Sequence, residues 1–293
     1  MIDPTDPRSA FAGFRDRDYA RAGLMVCEGR IVIEKALEEG VTLRSLICVP
    51  ADEEEWRGLS GGSFSVAAMP RAEMAELLGF SFHRGTLALA DRPKPPDPAE
   101  LPAGHALVLW NVTDPDNLGA LIRSAAALGA SRVYLGPGSA DPYSRKALRA
   151  SMACALGLPI VPLAGVGDLD LARGLSRASS PGDRGYHGGV GLVDIALVEA
   201  HARCAATRAA DPRVAGNVLA AAALVPWAMA PSAIASTGRY VSLVLGNEGW
   251  GLPDELVAAC DAAVAIPMAG NVDSLNVGAA GAILMWELFS TLV

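Results

Sequence analysis

Short apolar runs bounded by glycine, proline or charge alternate along the chain with stretches of helical period, the pattern of an α/β protein with buried strands. In the first third, strands are predicted at residues 24–27, 43–49, 64–66 and 86–90. A helix follows Glu28-Gly29-Arg30, with apolar Ile31, Ile33, Ala36 and Leu37 and a stop at Gly40; a helical turn is predicted at 52–56 and a helix at 71–78. Residues 3–18 are polar and charged and read as a solvated tail.

Arg92-Pro93-Lys94-Pro95-Pro96-Asp97-Pro98 interrupts the pattern. Four prolines in seven residues continue neither a ladder nor a helix, so this is a stiff spacer between domains. Beyond it, strands are predicted at 106–110, 133–135, 158–163, 218–224, 241–245 and 262–266. A helix at 118–128 carries an apolar stripe of Leu118, Leu121, Ile122, Ala125 and Leu128, with Arg123 pointing elsewhere among small neighbours, Gly119, Ala126 and Ala127. Arg145, Lys146 and Arg149 fall on a further helix. Pro253 opens another, with Asp254 and Glu255 in its first turn, and a small-residue helix runs over 277–289. Residues 192–208 read as a helix, and the glycine-rich 179–191 as a mobile surface insertion in which His187 is solvent-exposed.

At 293 residues, with 51% hydrophobic and 19% charged positions, the chain suits one or two domains with a sizeable core. The formal charge of −8 argues against coating a nucleic acid by bulk electrostatics and leaves room for a local basic patch. Cys27, Cys48, Cys154, Cys204 and Cys260 are scattered without zinc spacing and read as reduced core thiols of a cytoplasmic protein. The polar N-terminus is no signal peptide, and no apolar run is long enough to span a membrane.

Three segments carry the chemistry. Asn111-VTDPD-Asn117-L-Gly119-ALI-Arg123 follows one strand, LVLGNEGWGL ends another, and IPMAGNVDSLNVGAA ends a third. Strand tips followed by loops and helix starts are where open α/β sheets bind ligands. In this order the three segments resemble the motifs of the SpoU (TrmH-like) RNA ribose methyltransferases of the SPOUT superfamily. The resemblance implies an α/β trefoil-knot catalytic domain over 103–293, a homodimer, and S-adenosylmethionine as methyl donor with no metal. The small α/β/α unit over 1–91, joined through the linker 92–102, resembles the L30e-like RNA-binding domain that precedes many SpoU enzymes, in which a Glu-Gly-Arg helix start is typical. The segment from Asp141 to Cys154 is similar to another family stretch, with Ala153 where glycine is usual, a departure expected to tighten the backbone packing there.

By the same resemblance, Arg123 is the catalytic arginine, and Asn117, Glu248, Ser274 and Asn276 support or bind near the reacting ribose. The cofactor pocket is expected from Leu245, Gly246, Ile266, Met268 and Leu275, whose apolar side chains and backbone amides suit an adenine. Arg30, Arg145, Lys146 and Arg149 are candidate phosphate contacts, and the arginines near the N-terminus would form a basic arm on RNA.

The leading expectation is methyl transfer to a ribose 2′-hydroxyl of RNA, ribosomal RNA before transfer RNA. A non-catalytic RNA-binding protein of the same fold is the second reading. A nucleotide-dependent oxidoreductase is the third, and it lacks a GxGxxG after the first strand.

Overall fold

The structure is a computed structural model and describes residues 3–13, 15–80, 82–169, 171–172, 192–195, 240–247, 249–260, 262–264, 266 and 275–289. In chain order its elements are α1 (Pro7–Phe11), α2 (Asp16–Arg21), β1 (Leu24–Glu28), α3 (Arg30–Glu38), β2 (Leu43–Cys48), α4 (Glu53–Ser60), β3 (Ser65–Ala68), α5 (Arg71–Leu78), β4 (Thr86–Asp91), β5 (Ala106–Leu109), α6 (Pro115–Ala127) and β6 (Arg132–Leu135). They continue with α7 (Arg145–Ala150), α8 (Cys154–Gly157), β7 (Ile160–Pro162), β8 (Leu192–Ile195), β9 (Ser242–Leu245), α9 (Asp254–Ala259), β10 (Ala262–Ala263) and α10 (Val277–Phe289). Two compact units result: Met1–Lys94 with Asp141–Gly157, and Pro95–Ala140 with Leu158–Val293.

The first unit is built on a mixed sheet of order β1-β4-β2-β3, with β4 antiparallel to both neighbours and β3 parallel to β2. Its core joins Val26, Ile47, Leu87 and Leu89 of the sheet to Met74, Phe11 and Tyr19. The last two correct the reading of residues 3–18 as a solvated tail. The Asp6 carboxylate caps α1 by accepting from the amides of Arg8 and Ser9, and Pro7 opens the helix. Phe11 and Tyr19 are then buried, the Tyr19 hydroxyl donating to the Ala10 carbonyl at 3.1 Å. The abundance of charge hid two helices too short to show a period. Arg8 pairs with Glu73 of the same unit. The helical turn at 52–56 is likewise longer, α4 running to Ser60 with Trp56 fully buried. α7 packs on β1, so residues 141–157, expected within the 103–293 domain, complete the first unit.

The second unit is a six-stranded, wholly parallel sheet of order β10-β8-β9-β5-β6-β7. Its central strands β5 and β9 are buried along their whole length, as strands covered on both faces must be. The chain steps from β5 to β6 to β7 in one direction, while β8 and β9 lie on the other side of β5. The order therefore reverses between β5 and β9, and the carboxyl ends of these two strands, in register at Leu109 and Leu245, mark the expected ligand edge.

β8 corrects the helix predicted over 192–208. Leu192, Val193, Asp194 and Ile195 form a ladder with β9, and Val193 pairs with Ala262 of β10 on the other side. Three apolar residues in four, two of them β-branched, are a strand signal that a helical reading passed over. The strand predicted over 262–266 is shorter, with Ile266 beyond its end. The glycine-rich stretch 179–191 with His187, the strand at 218–224 and residues 196–208 lie outside the described residues. Among the described residues no helix is long and apolar enough to cross a membrane, and no group of His, Cys, Asp or Glu is placed to hold a metal.

Candidate active site

The first of the three segments leaves β5 at Trp110, whose amide donates to the Leu245 carbonyl at 2.8 Å. Asn111 then takes a left-handed conformation with φ 55°, which asparagine tolerates better than most residues. Asp114 caps α6 by accepting from the Asp116 amide at 2.9 Å, and Pro115 occupies its first position. Leu118, Leu121, Ile122 and Ala125 are all buried, as the apolar stripe predicted. Arg123 is exposed beside Ala126 and Ala127, and no hydrogen bond or ion pair joins it to any described residue.

The second segment leaves β9 at Gly246, where a Cβ would lie 2.7 Å from the Leu252 side chain and 2.8 Å from the Gly251 carbonyl carbon, so only glycine fits. Asn247 organises the turn. Its Oδ1 accepts from the amides of Gly249 at 2.8 Å and Trp250 at 3.1 Å, and its Nδ2 donates to the Asn111 carbonyl at 2.8 Å. Its backbone pairs twice with Gly251, which has φ +68°. Asn247 therefore ties the turn after β9 to the turn after β5. Sequence reasoning passed over it, although an asparagine two residues before a glycine is the signature of such a side-chain-closed turn. Glu248 lies outside the described residues.

In the third segment Ile266 and Leu275 are half-buried, and Met268 and Ser274 lie outside the described residues. Asn276 caps α10: its Oδ1 accepts from the amides of Gly278 at 2.9 Å and Ala279 at 3.3 Å, and its carbonyl from Ala280. With Oδ1 so engaged, Nδ2 faces α6 and donates to Asn117 Oδ1 at 3.0 Å. α10 lies against α6, tightly packed at Gly281, where a Cβ would meet Leu121 Cδ2 at 2.3 Å and Leu245 Cδ1 at 2.7 Å. The structure thus brings Asn117, Asn276, Leu245 and Gly246 to one end of the sheet. It does not bring Arg123 into contact with them: six residues on from Asn117, it stands roughly 9 Å further along the helix.

The four candidate phosphate contacts all belong to the first unit. Arg30 is already matched by carboxylates: Glu55 accepts from both of its terminal nitrogens at 2.6 and 2.7 Å, and Glu34 and Asp52 lie at 3.3 and 3.9 Å. Arg145 pairs with Asp16 at 2.9 Å and lies over the Phe80 ring, and Lys146 is exposed. Arg149 shares Glu28 with Arg84, a residue the sequence reading left aside, at 3.6 and 3.3 Å. Two guanidinium groups on one carboxylate leave net positive charge beside β1 in an otherwise acidic chain.

The sequence model of the SpoU rRNA Methylase family matches residues 104–170 and 196–286. Over 98% of its length the chain is 30% identical to an uncharacterized tRNA/rRNA methyltransferase of Mycobacterium tuberculosis, covering 90% of it. It is 25% identical to the 23S rRNA (guanosine(2553)-2'-O)-methyltransferase RlmP of Bacillus subtilis, with 93% of this chain and 91% of that protein covered. Among solved structures, the SpoU methyltransferase AviRb of Streptomyces viridochromogenes in complex with AdoMet superposes with a TM-score of 0.70 at 24% identity, covering 94% of this chain and 93% of that one. An AdoMet-bound rRNA methyltransferase from Sinorhizobium meliloti gives 0.70 at 22%, covering 94% and 91%. The family match spans more than half of the chain and includes the three segments that meet at the sheet edge, so this chain belongs to the SpoU rRNA methylase family.

Proposed function

We propose that the chain transfers the methyl group of S-adenosylmethionine to a ribose 2′-hydroxyl of RNA, ribosomal RNA in the first instance, and does so in the cytoplasm. The observation that carries the proposal is the junction of Asn117 with Asn276 beside the Gly246–Asn247 turn, three segments far apart in sequence gathered where the strand order reverses. The names of the relatives, one of them a 23S rRNA 2′-O-methyltransferase, support ribosomal RNA.

The edge fits the donor. Leu245 and Leu252 are buried apolar groups, and Ile266 and Leu275 are half-buried, so each keeps part of its surface available. Gly246 keeps the strand-end backbone free of a side chain. Apolar faces with nearby backbone amides suit a neutral adenine. Leu245, Gly246, Ile266, Met268 and Leu275 would hold the cofactor, which supplies an electrophilic sulfonium methyl. In-line displacement at that methyl draws its rate from positioning. Asn117 and Asn276, each fixing the other, orient the ribose, with Ser274 just before Asn276 in sequence.

Arg123 carries a guanidinium, a fork of donors with no acceptor, and is not cast as the base. Its part is to hold the phosphate next to the target ribose and to stabilise charge developing on the 2′-oxygen. The proton leaves to water or to Glu248. Arg145, Lys146 and Arg149 hold RNA phosphates elsewhere, and Arg30, with its charge already matched, contributes least. The exposed Ile283 and Trp286 of α10 support a homodimer.

The test is transfer of labelled methyl from S-adenosylmethionine to total cellular RNA, with the modified nucleoside identified by mass. A 2′-O-methylated nucleoside in the ribosomal fraction is expected. Label on a base, or no transfer by protein that binds the donor, overturns the assignment, and label in the transfer RNA fraction overturns its ribosomal part.

A further inference from the structure

Trp250 is the most exposed large hydrophobic side chain among the described residues, at 80%, yet its backbone is fastened. Its amide is held by Asn247 Oδ1, the same side chain is anchored to Asn111, and Gly251 closes the turn through two backbone bonds to Asn247. A loop that merely drifts in solvent needs no such fastening. The indole borders an open cleft of 510 Å³ at the carboxyl ends of β5, β6 and β9, whose walls include Trp110, Pro137, Pro253 and Asp254. Trp110 forms part of the wall and lies against Gly136, where a Cβ would meet its ring at 2.4 Å.

The chemistry of these walls selects the occupant. Among the described residues no lysine or arginine lines the cleft, and Asp254 places a carboxylate there, so this wall is unsuited to a phosphate. Aromatic and proline rings with a few polar groups suit the flat, neutral face of a nucleobase. An exposed aromatic ring on a rigid support is the usual platform for an unstacked base in single-stranded RNA. We infer that Trp250 is such a platform, holding one unpaired base of the RNA substrate over the cleft and so positioning the strand beside the Asn117–Asn276 junction. This rests on the proposed methylation of RNA and adds to it a determinant of which nucleotides are accepted.

Wild type, Trp250→Ala and Trp250→Phe are compared as full-length chains in binding to ten-nucleotide oligoadenylate and oligouridylate, in calorimetric binding of S-adenosylmethionine, in sedimentation, and in methyl transfer to total RNA. Trp250→Ala is expected to weaken oligoadenylate binding about tenfold, with a smaller effect on oligouridylate. Trp250→Phe should recover most of the loss. The ratio of wild-type to variant affinity should not change between about 50 and 200 mM salt, because no phosphate contact is removed. Donor affinity and sedimentation should match wild type, and methyl transfer should fall. Unchanged RNA affinity and transfer in Trp250→Ala would overturn this inference while leaving RNA methylation standing. Loss of donor binding would make Trp250 a wall of the cofactor pocket, and a shift in sedimentation would make it a contact between two copies; either also overturns it. A wild-type protein that neither binds nor methylates RNA would remove the function proposed above along with it.

Discussion

Asn276 donates from Nδ2 to Asn117 Oδ1 at 3.0 Å, across 159 positions of sequence, while its own Oδ1 starts α10. One amide thus does two separable things: it caps a helix with its oxygen and fixes a neighbour with its nitrogen. The two are distinguished by substitution. Asn276→Ala removes both and should cost about 1 kcal/mol through the lost cap, lowering the melting temperature by about 2–4 °C. Asn276→Asp keeps the cap and loses the donor. It should melt close to wild type while methyl transfer falls at least about tenfold. A fully active Asp variant would mean that the link to Asn117 does not serve the reaction.

Arg123 is exposed and bonded to no described residue, so its replacement should leave stability within about 0.5 kcal/mol. Arg123→Ala should abolish methyl transfer with donor affinity retained. Arg123→Lys keeps the charge but not the planar fork that grips a phosphate with two parallel bonds, and should restore only a minor part of the rate. Calorimetry and single-turnover transfer on the same preparations check this; loss of donor binding in Arg123→Ala would place the residue in the cofactor pocket instead.

Gly281 lets α10 touch α6 and the end of β9 at once. A methyl there would overlap the buried side chains of Leu121 and Leu245. Gly281→Ala, despite its better helix propensity, should therefore destabilise by about 1–3 kcal/mol through overpacking. Because Leu245 is a proposed wall of the cofactor pocket, donor affinity should fall as well. Denaturant unfolding and calorimetry decide; a more stable variant would show that the helix pair can move apart without strain.

His105 immediately precedes β5 and is buried, stacked on Phe289 with ring centroids 4.5 Å apart. Its Nδ1 accepts from the Val241 amide at 3.0 Å, so Nε2 carries the proton, and Nε2 has no partner among the described residues. Burial pushes its pKa down to about 4 from the ordinary 6.5. The unfolded chain therefore binds more protons between these values. The neutral form's contribution is complete above about pH 6.5 and is lost progressively as pH falls towards 4, at most roughly 3 kcal/mol in all. His105→Asn keeps an acceptor for Val241 and removes the titration. The difference in unfolding free energy between wild type and variant should change across this window and be flat above pH 7; a difference independent of pH would show that His105 titrates normally.

Much of this was legible in the residues because local signals agreed. The stripe on α6, Pro253 at a helix start, and Gly79 as a stop at φ +75° each name one conformation, and each was found, whereas the helix expected from Leu118 opens three residues earlier, at Pro115. What escaped were elements whose identity is set elsewhere. β8 is four residues long and takes its conformation from β9 and β10 on either side. α1 and α2 are stabilised by burying Phe11 and Tyr19, not by propensity. Of the site, the three segments were visible and their junction was not, since nothing local links Asn117 to Asn276. Ala153 was expected to tighten its surroundings. It stands instead at φ 61°, next to Met152 at φ 50°, so what glycine would supply at this position is a left-handed conformation rather than space.

The excursion of residues 141–157 into the first unit has a practical meaning for anyone cutting this protein into parts. The proline-rich spacer looks like the place to cut, and a fragment ending there would keep all four strands of the first sheet. It would also leave behind α7, and with it part of the covering of β1 and the partners that Asp16 and Glu28 find in Arg145 and Arg149. The first unit is discontinuous in sequence, finished only after two strands of the second have been synthesised. A ribosome making it would hold a complete sheet still waiting for its last helices, and a chimera that exchanges the first unit must carry two pieces of chain.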